Sequence, residues 1–214
     1  MRQSFIKMGR RNILPKGTAV EKTVAAGLPA EWVTAANVPK DNERVILHFH
    51  GGGVVGSCET HRYLASLISR SAGIRVLVVE YRLAPEHKYP AANDDCIAAY
   101  RWLIANGISS KSIVIGGDSF GSGLALMTLL SLRDAGDILP AAAYLFSPWD
   151  FVRFDGESYK SRARLDPMVN QGSYQICAES YIASQSAGPL SLFDRDMAAL
   201  PALLIQTGDH EIVL

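Results

Sequence analysis

Apolar residues in this chain fall into short unbroken runs separated by stretches with helical spacing. The run at 44–50 carries Val45, Ile46, Leu47 and Phe49, and IRVLVVEY at 74–81 is just as apolar. SIVIGG at 112–117, AAAYLF at 141–146 and ALLIQT at 202–207 complete the set. Strands without a polar face are buried on both sides, which is the pattern of a parallel sheet. Between them, residues 59–72 space Leu64, Leu67 and Ile68 onto one helical face. Pro90 opens a second helix that closes at Asn106-Gly107, with Ile97, Tyr100, Leu103 and Ile104 as its stripe. A third helix is predicted over 120–135. Strands alternating with helices predict an α/β fold, with a mostly parallel central sheet covered on both faces.

Two regions break this rhythm. Residues 18–36 set two short apolar segments around Gly27-Leu28-Pro29, the signal of a hairpin. Residues 149–201 are polar, offer no strand and show only weak helical patterning over 174–183. An insertion of this length between sheet strands predicts a small helical lid. Residues 1–17 lack periodicity and read as an N-terminal arm or a further part of that lid. This leaves 18–214 as the α/β domain.

Composition narrows the function classes. The 21 basic residues balance 21 acidic ones, so no bulk field favours nucleic acid or an anionic membrane, and neither is expected as a partner. Cys58, Cys96 and Cys177 are odd in number and widely spaced, which fits neither a disulfide framework nor a metal site. The first residues lack a continuous apolar stretch of signal-peptide length, and no run approaches the ~20 residues of a membrane span. A soluble, cytoplasmic protein is expected.

Candidate chemistry begins at Gly117-Asp118-Ser119-Phe120-Gly121, a G-x-S-x-G pattern between an apolar strand and a helix. A nucleophilic serine needs a tight strand-to-helix turn, and glycines on either side let the two backbones pass. The helix that follows favours negative charge developing at its N-terminus. His50-Gly51-Gly52-Gly53 follows the first apolar strand. Three glycines in a row cost conformational entropy, and a loop that turns backbone N–H groups toward a reacting oxygen would justify them. Gly51, Gly52 and the N–H of Phe120 are the predicted oxyanion donors, with His50 and Gly53 supporting the loop. Asp118 is expected to face away and brace the turn. Tyr81-Arg82-Leu83-Ala84-Pro85-Glu86 reads as an Arg–Glu pair stiffening a corner.

In this order and spacing, HGGG, YRLAPE and GDSFG resemble the hormone-sensitive-lipase-like carboxylesterases, a family of α/β-hydrolases. The resemblance extends to GLPAEW at 27–32, SPWD at 147–150 and QTGDHE at 206–211, and so covers about residues 18–214. It implies a serine hydrolase of short to medium acyl esters that works through an acyl-enzyme with no cofactor. Two departures stand out. Phe120 and Ser122 occupy positions where the family has alanine and glycine, so Phe120 is expected to shrink or redirect the acyl pocket. Val54 replaces an aromatic residue, and the loop is one residue short before Gly56-Ser57.

The fold orders its triad as serine, acid, histidine. By resemblance the acid is Glu211, with Asp209 as the alternative, just past ALLIQT. A catalytic histidine would follow, but the sequence stops at Leu214. Of the five histidines, His48 reads as strand core and His50 as part of the loop, while His61 and His87 have no triad context. His210 remains an outside candidate. Loss of the histidine costs a well-studied protease roughly a millionfold in turnover. The expectation is a truncated, nearly inactive chain lacking its last strand and helix, with ALLIQT an exposed edge. That edge leaves homo-oligomer formation or edge-to-edge association open. A non-catalytic small-molecule-binding protein on the same scaffold is the alternative reading.

Overall fold

The computed structural model describes residues 2–9, 11–182, 191–192 and 194–212. Its single sheet contains β1 (Ala19–Ala25), β2 (Leu28–Thr34), β3 (Val45–Phe49), β4 (Arg75–Val79), β5 (Ile113–Asp118), β6 (Ala142–Phe146) and β7 (Ala202–Gln206). The spatial order is β1-β2-β4-β3-β5-β6-β7. β2 runs antiparallel to β1 and β4, and every other neighbouring pair is parallel. This is the α/β architecture that the apolar runs predict.

The pleat sorts side chains between two cores. Val45, Leu47, Phe49, Leu77, Val79, Ile113 and Ile115 pack toward α3 (Ala91–Ala105) and α4 (Phe120–Asp134). Ile46, Val76 and Val78 face the other way, toward Cys58 and Ala65 of α2 (Cys58–Ala72). Ser57 caps α2, its side chain accepting from the Thr60 N–H while the Thr60 hydroxyl accepts from the Ser57 N–H. Arg62 of α2 forks onto the buried carboxylate of Glu31 on β2, which ties this helix to the sheet.

Two expectations need correction. The hairpin turn is Ala26-Gly27, at φ 54° and 81°, and Leu28 and Pro29 already belong to β2. Positive φ at both positions is the type I′ pattern of a two-residue hairpin turn, and proline cannot supply it. Arg82 pairs with Asp95 of α3, Nε and Nη2 lying 2.9 and 2.8 Å from its oxygens, rather than with Glu86. Asp95 is buried and requires a partner, whereas Glu86 is exposed and instead receives Arg2 at 2.9 Å.

Arg2 belongs to α1 (Arg2–Gly9), the part of the N-terminal arm that is helical and that packs on α2. Met1 and Arg10 of that arm lie outside the described residues, as do 183–190 and 193 of the insertion. The described insertion contains α5 (Ser158–Ser161) and α6 (Gln171–Tyr181). α6 buries Tyr174, Ala178 and Tyr181, a helical stripe, and starts under an Asn170 side-chain cap three residues before its predicted onset. Ala183, the predicted end of this helix, is not among the described residues. None of the described helices is long and apolar enough to cross a membrane. β7 forms the edge of the sheet, with Leu204 and Ile205 more than half exposed.

Burial predicts opposite outcomes for two leucines. Leu77→Ala, at 0% exposure, should lose about 3 kcal/mol of unfolding free energy, whereas Leu204→Ala, at 59%, should lose less than about 0.5 kcal/mol. Urea denaturation of both variants checks the contrast.

Candidate active site

The site is built on the C-terminal ends of the parallel strands, where α/β sheets open a crevice. β5 ends at Asp118 and α4 begins at Phe120, so Ser119 makes the entire turn by itself. Its backbone sits at φ 51°, ψ −119°, a conformation that costs a residue with a Cβ about 1–3 kcal/mol. Its N–H donates to the Phe146 carbonyl at 2.8 Å, which pins the bend to β6. A Cβ on Gly121 would fall inside the van der Waals radius of the Phe49 carbonyl, and one on Gly117 would strike the Gly121 backbone. These contacts give the glycines of G-x-S-x-G their physical reason. Ser122, where the family pattern has glycine, buries its hydroxyl 2.6 Å from Gly117 O and 2.7 Å from Phe146 O.

Beside the bend, His50-Gly51-Gly52-Gly53 runs from the end of β3 into a 3₁₀ turn, Gly53–Val55. Gly52 and Gly53 adopt φ of 86° and 53°, left-handed values that favour glycine. The Gly51 N–H donates to Asp118 Oδ1 at 3.1 Å and is therefore occupied. This corrects the prediction that Gly51 is an oxyanion donor. The N–H groups of Gly52, Gly53 and Phe120 have no protein acceptor among the described residues. A Cβ on Gly53 would come within 4.0 Å of the Phe120 ring, so the loop and the Ser119 turn are direct neighbours.

Beneath the loop lies a buried polar cluster. Besides Gly51, Asp118 meets His61 Nε2 at 3.3 Å and His48 Nε2 at 3.2 Å, the latter without hydrogen-bond geometry. Burial opposes ionisation of Asp118, but the two imidazoles outweigh it and hold the carboxyl far below its usual range. His50 Nδ1 lies 3.0 Å from the Gly51 carbonyl, and Tyr81 donates its hydroxyl to His50 O at 2.5 Å. Burial first, and then His61, push the His50 imidazole down to about 3, so it is neutral at pH 7 and braces the loop.

Across the turn, Ser119 opens onto a cavity of about 530 Å³ walled by Ser147, Asp166, Met168, Tyr174, His210 and Glu211. Glu211 is half-buried, and its Oε1 accepts from the Ser147 hydroxyl and the Gly208 N–H, both at 2.8 Å. Its Oε2 has no protein donor among the described residues. Asp209 is 81% exposed and pairs with Arg162 at 3.3 Å, so it faces solvent as an ion-pair partner. Burial raises the Tyr174 phenol well above its usual range, and the neighbouring Ser119 hydroxyl pulls against that shift. The Phe120 ring is not among the residues that wall this cavity; it packs beside Ser119 in an aromatic box, its centroid 5.0 Å from both Phe151 and Tyr181 and 5.6 Å from Trp149.

Comparison with known proteins agrees with this fold. A family model described as the alpha/beta hydrolase fold covers residues 46–214. The chain belongs to the α/β-hydrolase family. Its neighbours within that family are of the hormone-sensitive-lipase type. A solved esterase from the bacterial hormone-sensitive lipase family is 40% identical and superposes with a TM-score of 0.93, covering 99% of this chain and 72% of that one. A structure of EstE5 soaked with p-nitrophenyl butyrate is 39% identical with a TM-score of 0.93, covering 100% and 72% respectively. An acetyl-hydrolase from Streptomyces hygroscopicus is 40% identical over 187 residues, 86% of this chain. The chain spans 62% of that relative's length.

Several residues of this α/β-hydrolase site carried no local signal. His61 sits in a helix and Tyr174 in a weakly patterned insertion, and only tertiary contact brings them to Asp118 and Ser119. Ser147 is the exception, since SPWD directly follows a strand end, where such folds place their sites. The close approach at Gly121 generates a prediction. Gly121→Ala should melt well below wild type and abolish labelling of Ser119 by organophosphonates, whereas Ala125→Gly, about one turn further along α4, should leave that labelling unchanged. Thermal melts and intact-mass labelling measure both.

Proposed function

We propose that this chain is a serine carboxylesterase of short to medium acyl esters that works through an acyl-enzyme and needs no cofactor. One observation carries the reading: Ser119 stands at positive φ at the mouth of a cavity, next to the Phe120 N–H and the triple-glycine loop, where the N–H groups of Gly52, Gly53 and Phe120 have no acceptor among the described residues. In this reading Ser119 Oγ attacks the ester carbonyl carbon, and those N–H groups stabilise the oxyanion that forms. Collapse of the tetrahedral species breaks the carbon–oxygen bond to the alcohol and leaves the acyl group on Ser119. Water then attacks the acyl-enzyme and releases the acid. Glu211, anchored by Ser147 and Gly208, is the acid that would orient a base, and its burial relative to Asp209 supports this choice. The relatives, an acetyl-hydrolase and an esterase, support the same substrate class.

The hydroxyl proton needs an acceptor. Among the described residues no imidazole hydrogen-bonds Ser119: His48, His50 and His61 lie under the loop, His87 follows the Leu83 corner, and His210 is exposed. We therefore propose that this chain alone turns over near background. The same observation favours the second reading, a small-molecule-binding protein using the same cavity. The three free cysteines support a reducing, cytoplasmic setting. By this proposal residues 149–201, with α6 walling the cavity, form the lid.

Chromogenic butyrate ester should be hydrolysed no faster by the chain than by Ser119→Ala, whereas excess fluorophosphonate should slowly label Ser119 alone. Turnover well above the Ser119→Ala control would contradict the near-inactivity, and absence of any label would favour the binding protein. Phe120 fills the space on one side of the nucleophile. Phe120→Ala should therefore raise labelling by long-chain relative to short-chain alkylphosphonates about ten-fold or more. An unchanged ratio would mean that the aromatic box does not limit the acyl group.

A further inference from the structure

His61 lies one turn into α2 with both ring nitrogens facing acceptors. Nε2 is 3.3 Å from Asp118 Oδ2, while Nδ1 is 2.7 Å from Thr60 Oγ1 and 3.3 Å from Ser57 O. Thr60 directs its hydroxyl proton to Ser57 O at 2.7 Å, so it presents a lone pair to His61. An imidazole with acceptors on both sides is fully satisfied only when both nitrogens carry protons. The groups facing it are Asp118 at the end of β5, Glu80 just past β4, and His48 and His50 on and just after β3. His50 is kept neutral by burial, so the cation has carboxylates to meet and no second fixed charge to repel it from that side.

We propose that protonated His61 is a positioning residue which, through Asp118, holds the Gly51 N–H and thereby fixes the aim of the Gly52 and Gly53 N–H groups. This rests on the reading of those two groups as oxyanion donors. The chain of contacts is continuous, from His61 Nε2 to Asp118 Oδ2 and from Asp118 Oδ1 to Gly51 N at 3.1 Å. No other side chain accepts from Gly51 among the described residues. Without the cation, Asp118 is a buried carboxylate with weaker compensation, and its hold on Gly51 competes with water. Burial is the largest single influence and works against the His61 charge, but the hydrogen bond and charge of Asp118, with Ser57 O and Glu80, together outweigh it, so its pKa is raised. A group raised by folding keeps its contribution below its unfolded value of 6.5 and loses it as the pH climbs through the raised value. The clamp is complete at pH 6.5 and below and loosens above it.

The test follows the Gly51 amide by ¹⁵N NMR across pH and the rate of Ser119 phosphonylation by intact mass, in wild type, His61→Gln and His61→Ala. Wild type should show a Gly51 transition above pH 6.5 that both variants lose. Near pH 6, phosphonylation should fall about ten-fold in His61→Ala and less in His61→Gln, a fraction of the ~10²–10³-fold cost of losing a whole oxyanion donor. A Gly51 transition that persists in His61→Ala, or an unchanged rate in that variant, would overturn the proposal. If the variants do not fold, a wild-type His61 ring that titrates at or below 6.5 overturns it equally. If wild type is not labelled at all, the nucleophile reading fails, and the Gly51 titration still decides the clamp.

Discussion

The near-contact between the first turn of α4 and the end of β3 sets every other feature of the site. Gly121 lies against the Phe49 and His50 carbonyls so closely that no side chain fits. That contact forces the chain to reverse within the single residue Ser119 and brings the Phe120 N–H alongside the triple-glycine loop. The strained backbone at Ser119 persists because β5, β6 and α4 over-determine it, with the Ser119 N–H and the Ser122 hydroxyl both directed at Phe146 O. Ser119 and its neighbouring amides are thus held by backbone packing, the kind of fixed arrangement that the proposed oxyanion role requires.

The second layer of the site is electrostatic. Asp118 would be costly to bury alone, and it is compensated by two imidazoles and one amide. His50, a few ångströms away, is uncharged, and its only strong partners belong to the loop itself and to Tyr81. The two histidines have opposite charge preferences, because His50 is completely buried and hydrogen-bonds a carbonyl and a phenol, whereas the less buried His61 meets the Asp118 carboxylate at hydrogen-bond distance. On the far side, Glu211 is anchored through a single oxygen, an arrangement that leaves the other able to orient a hydrogen-bond donor.

Much of this was legible in the sequence, and for definite reasons. The apolar runs gave the parallel strands because strands buried on both faces cannot hide polar residues. The elbow was legible because the spacing of Gly117, Ser119 and Gly121 has one steric meaning between a strand and a helix. The hairpin turn was misplaced by one residue because Gly27 and Pro29 both signal turns, and only the register shows which one turns. Gly51 looked equivalent to Gly52, since sequence does not show that its N–H is taken by Asp118, two strand ends away. His61 was missed because a histidine inside a helix has no local mark of its partner. The Arg82 pairing failed for a related reason: Glu86 is near in sequence, while Asp95 is buried and near in space.

The most direct measurement is a crystal structure of the chain phosphonylated at Ser119. The phosphoryl oxygen should accept hydrogen bonds from the N–H groups of Gly52, Gly53 and Phe120, with the Gly51 N–H still on Asp118. An oxygen held instead by Gly51, or pointing into the Glu211 cavity away from the triple-glycine loop, would contradict this assignment of the site.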